Sequence, residues 1–397
     1  MSSIRGRFGR RRTTLAATAM AAALALTATA CNGDDDASND AKPSDGTEIQ
    51  DLLDNLPFDV DLEAWINGGW EDWDTDTWVR DIGEFFNPII EGLWDSDRME
   101  EAQDPDQAID DDEIQEDVNP PQNDDPESDR GITDSEPFPV EAEQVAFPYT
   151  DNAAPIGKVF FDAPEGSMVC SGTVVKDPNR PGQSNLVATA GHCVHAGTEG
   201  GWFRNIAFVP AFNNNGSPDP YSAAYEEMAP YGVYWADYVS TTQYWIDNGT
   251  AMGGGGAPGD FAILEVTNEN GSEQSLEETV GNAIEIDFGA PAVSGLGDVT
   301  LYGFPAADPY DGNLMYNCTD TPSRLSLDDT MPGMYWAGCT MTGGSSGGPW
   351  IRWDASNDPK LISVNSIGPM ESTWLAGPRL ESEAQAVLDH VSSGAGR

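Results

Sequence analysis

The stretch Asn185-Leu186-Val187-Ala188-Thr189-Ala190-Gly191-His192-Cys193 reads as a short apolar strand that runs directly into a histidine. The run is too short for a globular helix, and the glycine after it ends the pattern. Working outward from it, the same unit recurs downstream of about Ala146. Runs rich in β-branched and aromatic residues (157–161, 172–175, 260–266, 299–304, 361–367) alternate with Gly, Pro and Asn clusters. Many short strands separated by turns predict an all-β barrel or sandwich. One helix stands out near the end, with Leu380, Ala384, Val387, Leu388 and Val391 on one face.

Upstream the composition changes. The chain has 397 residues, 68 acidic and 18 basic, for a net charge of -50. Nucleic acid is excluded as a partner, because binding it needs a basic footprint. The 12 Trp, 14 Phe and 11 Tyr argue against a fully disordered chain. Residues 48–94 are rich in aromatics, and Trp78, Ile82, Phe85, Phe86, Ile89 and Leu93 recur at helical spacing, interrupted at Pro88. This segment is too short to bury a core alone and reads as a possible pro-segment or helical hairpin. Residues 95–144 are dense in acids with scattered Pro and Asn, the composition of a disordered linker. Divisions follow at 1–30, 31–47, 48–94, 95–144 and 145–397: a targeting segment, a polar spacer, the aromatic segment, the acidic linker and the β domain.

The first thirty residues carry Arg5, Arg7 and Arg10–Arg12, then an apolar and small-residue run from Leu15 to Ala30. That run is short for a bilayer span and reads as a signal h-region. It ends Leu26-Thr27-Ala28-Thr29-Ala30-Cys31, which resembles a bacterial lipobox apart from Ala28 where Leu is usual. Ordinary small-x-small cleavage would leave a freely secreted protein instead. Five cysteines in an exported chain leave one odd, and lipidation would account for Cys31. The expected location is the outer face of a bacterial membrane or the medium, with membrane contact only through that lipid.

Chemistry concentrates in three short motifs. Only His192, His195 and His390 could supply a histidine base. Ser346 lies in Gly343-Gly344-Ser345-Ser346-Gly347-Gly348-Pro349, where glycines permit close backbone approach and the N–H groups of Gly344 and Ser346 could face one oxyanion. A plain glycine–serine loop would have the same composition. Asp260 heads the apolar run Phe261-Ala262-Ile263-Leu264, a costly place for an acid unless it is paired, although a surface acid could also begin a strand.

These three motifs in this order resemble the chymotrypsin/trypsin-like serine endopeptidases, near the exported bacterial peptidases of the glutamyl endopeptidase group. Ile156 to Phe161, Leu301 to Ala306 and Cys339 to Trp350 extend the resemblance to roughly residues 150–395. It implies two antiparallel six-stranded β-barrels with a C-terminal helix and a His192–Asp260–Ser346 triad in the cleft. It also implies a Cys170–Cys193 bridge. The other two cysteines, Cys318 and Cys339, would then brace the loop ahead of the nucleophile, and two bridges suit an oxidising exterior. The substrate is expected to be a protein or peptide, the chain a monomer, with no cofactor and no metal. Asp34–Asp36 and Asp110–Asp112 lack the spacing of a defined calcium loop.

Departures from the family pattern are informative. Ser345 replaces the aspartate that receives a new N-terminal ammonium in the animal enzymes, so Arg130-Gly131-Ile132-Thr133 is not read as their activation site. Thr340 stands where trypsin proper has the aspartate that reads a substrate Lys or Arg, and Asn365 and Ser366, ahead of Gly368, stand on the strand where glutamyl endopeptidases place a histidine. Thr340, Asn365, Ser366 and Gly368 are the candidate pocket residues, and they support neither charge preference. Two rival functions remain on the sequence. An α/β-hydrolase would use Gly344-Ser345-Ser346-Gly347-Gly348 with His390, but the required alternation of strands and helices is missing. A catalytically silent surface lipoprotein that only binds a partner would keep the fold without turnover.

Overall fold

Short, turn-punctuated runs become strands because each has a partner that takes up its backbone groups and a core that takes up its side chains. The computed structural model describes residues 87, 89–105, 108–109, 114, 131–252 and 254–394, all within one compact unit, Leu56–Arg397. The targeting segment, Cys31, the spacer and residues 48–86 lie outside the described residues. Helix α1 (Ser96–Glu101) and strands β1 (Ala108–Ile109) and β2 (Glu143–Gln144) come first.

Six strands then close a barrel: β3 (Ile156–Ala163), β4 (Gly166–Val175), β5 (Leu186–Thr189), β6 (Arg204–Pro210), β7 (Tyr234–Thr241) and β8 (Ala262–Asn268), in the order β3-β4-β5-β8-β7-β6. Val159, Phe161, Val187, Phe208 and Ile263 are among the side chains that fill it, each fully buried. Helix α2 (Gln243–Asn248) follows β7.

The later half holds β9 (Glu285–Ile286), β10 (Val299–Gly303), β11 (Tyr316–Asp320), β12 (Ser323–Leu325), β13 (Met334–Gly338), β14 (Pro349–Trp353), β15 (Pro359–Val364), β16 (Gly368–Pro369) and β17 (Trp374–Pro378). The expected second barrel takes the form of two sheets around one core, rather than a ring closed by pairing. One sheet runs β2-β11-β10-β14-β15-β9 and the other β12-β13-β17. Leu301, Tyr335, Trp350, Ile362 and Leu375 from both sheets share the interior. At the seam Ser363 Oγ on β15 donates to the Pro378 carbonyl on β17 (2.8 Å). The Cys318–Cys339 disulfide joins β11 to the residue after β13, so it staples one sheet to the other.

The C-terminal helix α3 (Ser382–Ser392) buries Ala384, Val387, Leu388 and Val391 against β7 and β8, together with Leu380 ahead of it. That face matches the sequence periodicity, and each large side chain removed from water is worth roughly 1.5–3 kcal/mol.

Two expectations about the acidic region are corrected. Residues 89–94 form turns and bends, not helix, and the buried side chains are Ile90 and Trp94 rather than Ile89 and Leu93. Pro88 denies the preceding residue helical geometry, and the chain is held by specific hydrogen bonds instead. Asn87 Nδ2 donates to the carbonyls of Ile206 and Ala236, and Trp94 Nε1 donates to Asn205 O (2.7 Å). The expected linker 95–144 is also structured at both ends. Asp95 caps α1, Met99 is buried, Asp134 pairs with Arg324 (2.6 Å), and β2 joins β11. Composition averaged over fifty residues hid the few acids that have a capping or cationic partner. Among the described residues no helix is long and apolar enough to cross a membrane.

Candidate active site

Antiparallel pairing of β5 with β8 builds half of the site. Its register sets Thr189 opposite Ala262, so the chain leaving β5 and the chain entering β8 meet at one end of the barrel. His192 and Asp260 thereby come side by side. The His192 backbone N–H donates to Asp260 Oδ1 (2.8 Å) and its ring Nδ1 to Oδ2 (2.7 Å). Ser366 Oγ donates a third hydrogen bond, to Oδ2 (2.6 Å). Three donors on a carboxylate that is 1% exposed offset the penalty of burying it. Because the carboxylate can only accept, Nδ1 carries the proton and Nε2 is the basic nitrogen. Nε2 is buried and has no hydrogen-bond partner among the described residues. The Trp245 ring, on α2, lies 6.0 Å from the imidazole, and the Cys170–Cys193 disulfide ties the residue after His192 to β4.

Ser346 sits in a tight turn of the later half. Gly344 has φ +86°, and a Cβ there would lie 2.8 Å from Phe304 O. Gly347 has φ +76°, and a Cβ there would lie 2.1 Å from Thr189 Oγ1. Only glycine tolerates both demands. Ser345, at the family's activation position, donates from Oγ to Thr342 O (2.7 Å), so the turn is pinned within itself.

The carbonyls around Ser346 are all engaged. Gly343 O accepts from Ala306 N–H (2.7 Å), and Ser345 O accepts from Gly348 N–H and Asn365 Nδ2 (both 2.9 Å). In a trans peptide the N–H points opposite to the C=O. The Gly344 and Ser346 N–H groups therefore face away from those partners, and neither donates a hydrogen bond among the described residues. Ser171, fully buried on β4, links the two halves. Its N–H donates to Ser346 O (2.7 Å) and its Oγ to Gly344 O (2.9 Å). Ser171 carried no signal in the sequence, since a serine beside a cysteine is unremarkable until the fold places it.

A cavity of about 180 Å³ opens beside Ser346, walled by Met341, Thr342, Ile367, Gly368, Trp374 and Leu375 among others. The candidate pocket residues fare differently. Gly368 lines it. Thr340 does not, because its hydroxyl accepts from Ala142 N–H (2.9 Å) and lies by Tyr310. Asn365 lines it but is consumed by Trp350 Nε1, Tyr302 O and Ser345 O, and Ser366 by Asp260. Met341, one residue on from Thr340, is what faces the cavity. In so irregular a loop a one-residue shift was not readable from spacing.

The other histidines are elsewhere. His195 is buried, accepts from Gly197 N–H at Nδ1 (3.0 Å) and packs edge-on to Trp202. Burial, with the Arg204 charge adding to it, pushes its pKa down to about 4. His390 Nε2 meets the Tyr238 hydroxyl (2.9 Å) on the outside of the first barrel, which leaves the hydrolase alternative without its base.

No protein-family model and no curated protein matches the chain. Solved structures do. A thermostable serine protease, AL20, from an extremophilic microorganism is 31% identical, over 62% of this chain and 99% of that one, with a TM-score of 0.49. The protease Anisep from Arthrobacter nicotinovorans is 30% identical over 63% and 99%, also at 0.49. A Glu endopeptidase in complex with MPD is 15% identical over 65% and 98%, at 0.44. With 30–31% identity along nearly the whole of two proteases, the chain belongs to the chymotrypsin/trypsin-like serine protease family.

Proposed function

We propose that this chain is an exported serine endopeptidase that hydrolyses peptide bonds through an acyl-enzyme on Ser346. One observation carries the reading: the buried His192–Asp260–Ser366 hydrogen-bond chain shares the cavity wall at Ser366 with Ser346, whose own N–H and that of Gly344 donate no hydrogen bond among the described residues. Ser346 Oγ attacks the scissile carbonyl and passes its proton to His192 Nε2. Asp260 stabilises the imidazolium that forms. The N–H groups of Gly344 and Ser346 receive the oxyanion, each worth about 3 kcal/mol in the transition state. His192 then protonates the leaving amine, and water releases the acyl group by the same steps in reverse order of partners.

The test is labelling of the purified full chain with a fluorophosphonate, the modified peptide being read by mass spectrometry. A label on Ser346 that is lost in His192→Ala is expected. A folded chain that takes no label at any probe concentration, either as the parent or with residues 103–109 loosened by Ile109→Asp, would leave the silent binding protein as the better reading. Cys31 is the proposed lipid attachment point, on sequence grounds alone. Incorporation of labelled palmitate that disappears in Cys31→Ser tests it, and equal incorporation in both would refute it.

A further inference from the structure

The cavity beside Ser346 is walled in part by the chain's own upstream segment. Asp104, Pro105 and Ala108 line it together with Ser346 and Gly368. The segment is anchored on both sides. Upstream, Arg98 pairs with the buried Asp162 through two hydrogen bonds (2.9 and 3.0 Å). Gln103 N–H donates to Ser167 O, and Gln103 O accepts from Val169 N–H. Downstream, β1 pairs with β16, Ala108 opposite Gly368 and Ile109 opposite Pro369, and Ile109 is buried among Leu325, Ile367 and Trp374.

The direction of that pairing matters: it is parallel. The half of a substrate that remains on Ser346 as the acyl group reaches the serine by its C-terminal carbonyl. An acyl half riding on Gly368 and Pro369 must therefore run toward Ser346. Here the residues beside the nucleophile turn, Asp104 and Pro105, precede the paired residues, so the segment runs away from the serine. Asp104 packs so closely on Gly343 that its carboxylate stands where a Cβ of residue 343 would be. The bond after Asp104 is also a tertiary amide, whose proline nitrogen has no hydrogen to donate.

We infer that residues 103–105 and 108–109 are a built-in inhibitor, which fills the substrate groove in the reverse direction and so blocks Ser346 without being cut. The inference rests on the proposed serine mechanism and adds its regulation. Activation then requires the segment to leave, and reactivity scales with the fraction of molecules in which it has left.

The experiment compares fluorophosphonate labelling rates of Ser346 in the full chain, in Ile109→Asp and in Gln103→Pro. The first variant places a charge in the apolar seat, and the second removes the N–H given to Ser167. Both are expected to label at least about tenfold faster than the parent, as a shift toward the open form demands. A synthetic peptide spanning residues 99–114 is expected to slow Ile109→Asp again. Two variants keep the test alive if one fails to fold, which melting curves report. Equal labelling in parent and folded variants overturns the inhibitor and leaves the segment as a brace. Absence of label in all forms at any probe concentration instead brings down the serine mechanism itself, and the inhibitor with it.

Discussion

The closed barrel and the later half hold their parts of the site by different means. In the barrel, His192 and Asp260 project from the adjoining ends of β5 and β8, and the ladder between those strands sets their separation. In the later half, Ser346 sits on a turn between two sheets, held by Ser345 Oγ on Thr342 O, by Asn365 on Ser345 O and by Ser171 from the other half. A ladder spreads positional control over many equivalent hydrogen bonds. A turn concentrates it in a few side chains. His192 and Asp260 are thus expected to tolerate substitution around them better than Ser346 does.

The two histidines of the barrel give the sharpest break. His192→Ala is expected to lower kcat about 10⁴-fold or more, while His195→Ala changes it by no more than a few-fold. Peptide hydrolysis by the variants in a form freed of residues 103–109 checks this, and a reversed ranking would mean that the wrong histidine was assigned.

The disulfides come next. Their sequence separations are 23 and 21 residues, so constraint of the unfolded chain predicts nearly equal stabilisation, about 3 kcal/mol each. Removing Cys318–Cys339 frees the seam of an unclosed half, whereas removing Cys170–Cys193 leaves the ring closed. Paired Cys→Ser variants in urea are expected to lose similar stability. Loss of Ser346 labelling at sub-denaturing urea is expected only for the first. The same loss in both would dissolve the contrast between the halves.

His195 tests the barrel by pH. Its folded pKa of about 4 lies below the ordinary 6.5, so the unfolded chain binds the proton first as pH falls. The stability that the neutral buried ring contributes is therefore complete above pH 6.5 and lost between there and about 4. At 1.36 kcal/mol per unit this is about 3 kcal/mol at most. Urea midpoints against pH are expected to fall less steeply across that window in His195→Gln, and an unchanged slope would count against the buried neutral ring.

Ser171 is the smallest and finest test. Ser171→Ala removes the hydroxyl that holds Gly344 O and leaves the backbone bond to Ser346 in place. The same hydroxyl accepts from Phe304 N–H (2.9 Å), so two neutral hydrogen bonds go and a loss of about 2 kcal/mol is expected, roughly thirtyfold. It should fall on kcat rather than KM if the hydroxyl positions the oxyanion donors. A change in KM alone would assign it to substrate binding.

Much of this was legible before folding. Alternating runs and turn residues announced an all-β chain, and the periodic face of 380–391 announced the last helix. His192, Asp260 and Ser346 stood out because histidine is scarce, an acid heading an apolar strand needs a partner, and glycines crowd one serine. Those signals are local, so one stretch of chain carries each of them. What only the tertiary structure decided is set by partners distant in sequence: Ser366 bonded to Asp260 while it lines the cavity, Met341 rather than Thr340 facing the cavity, and Ser171 clasping the Ser346 turn. The reversed strand at 108–109 belongs with them, because chain direction in a groove exists only once both strands are placed.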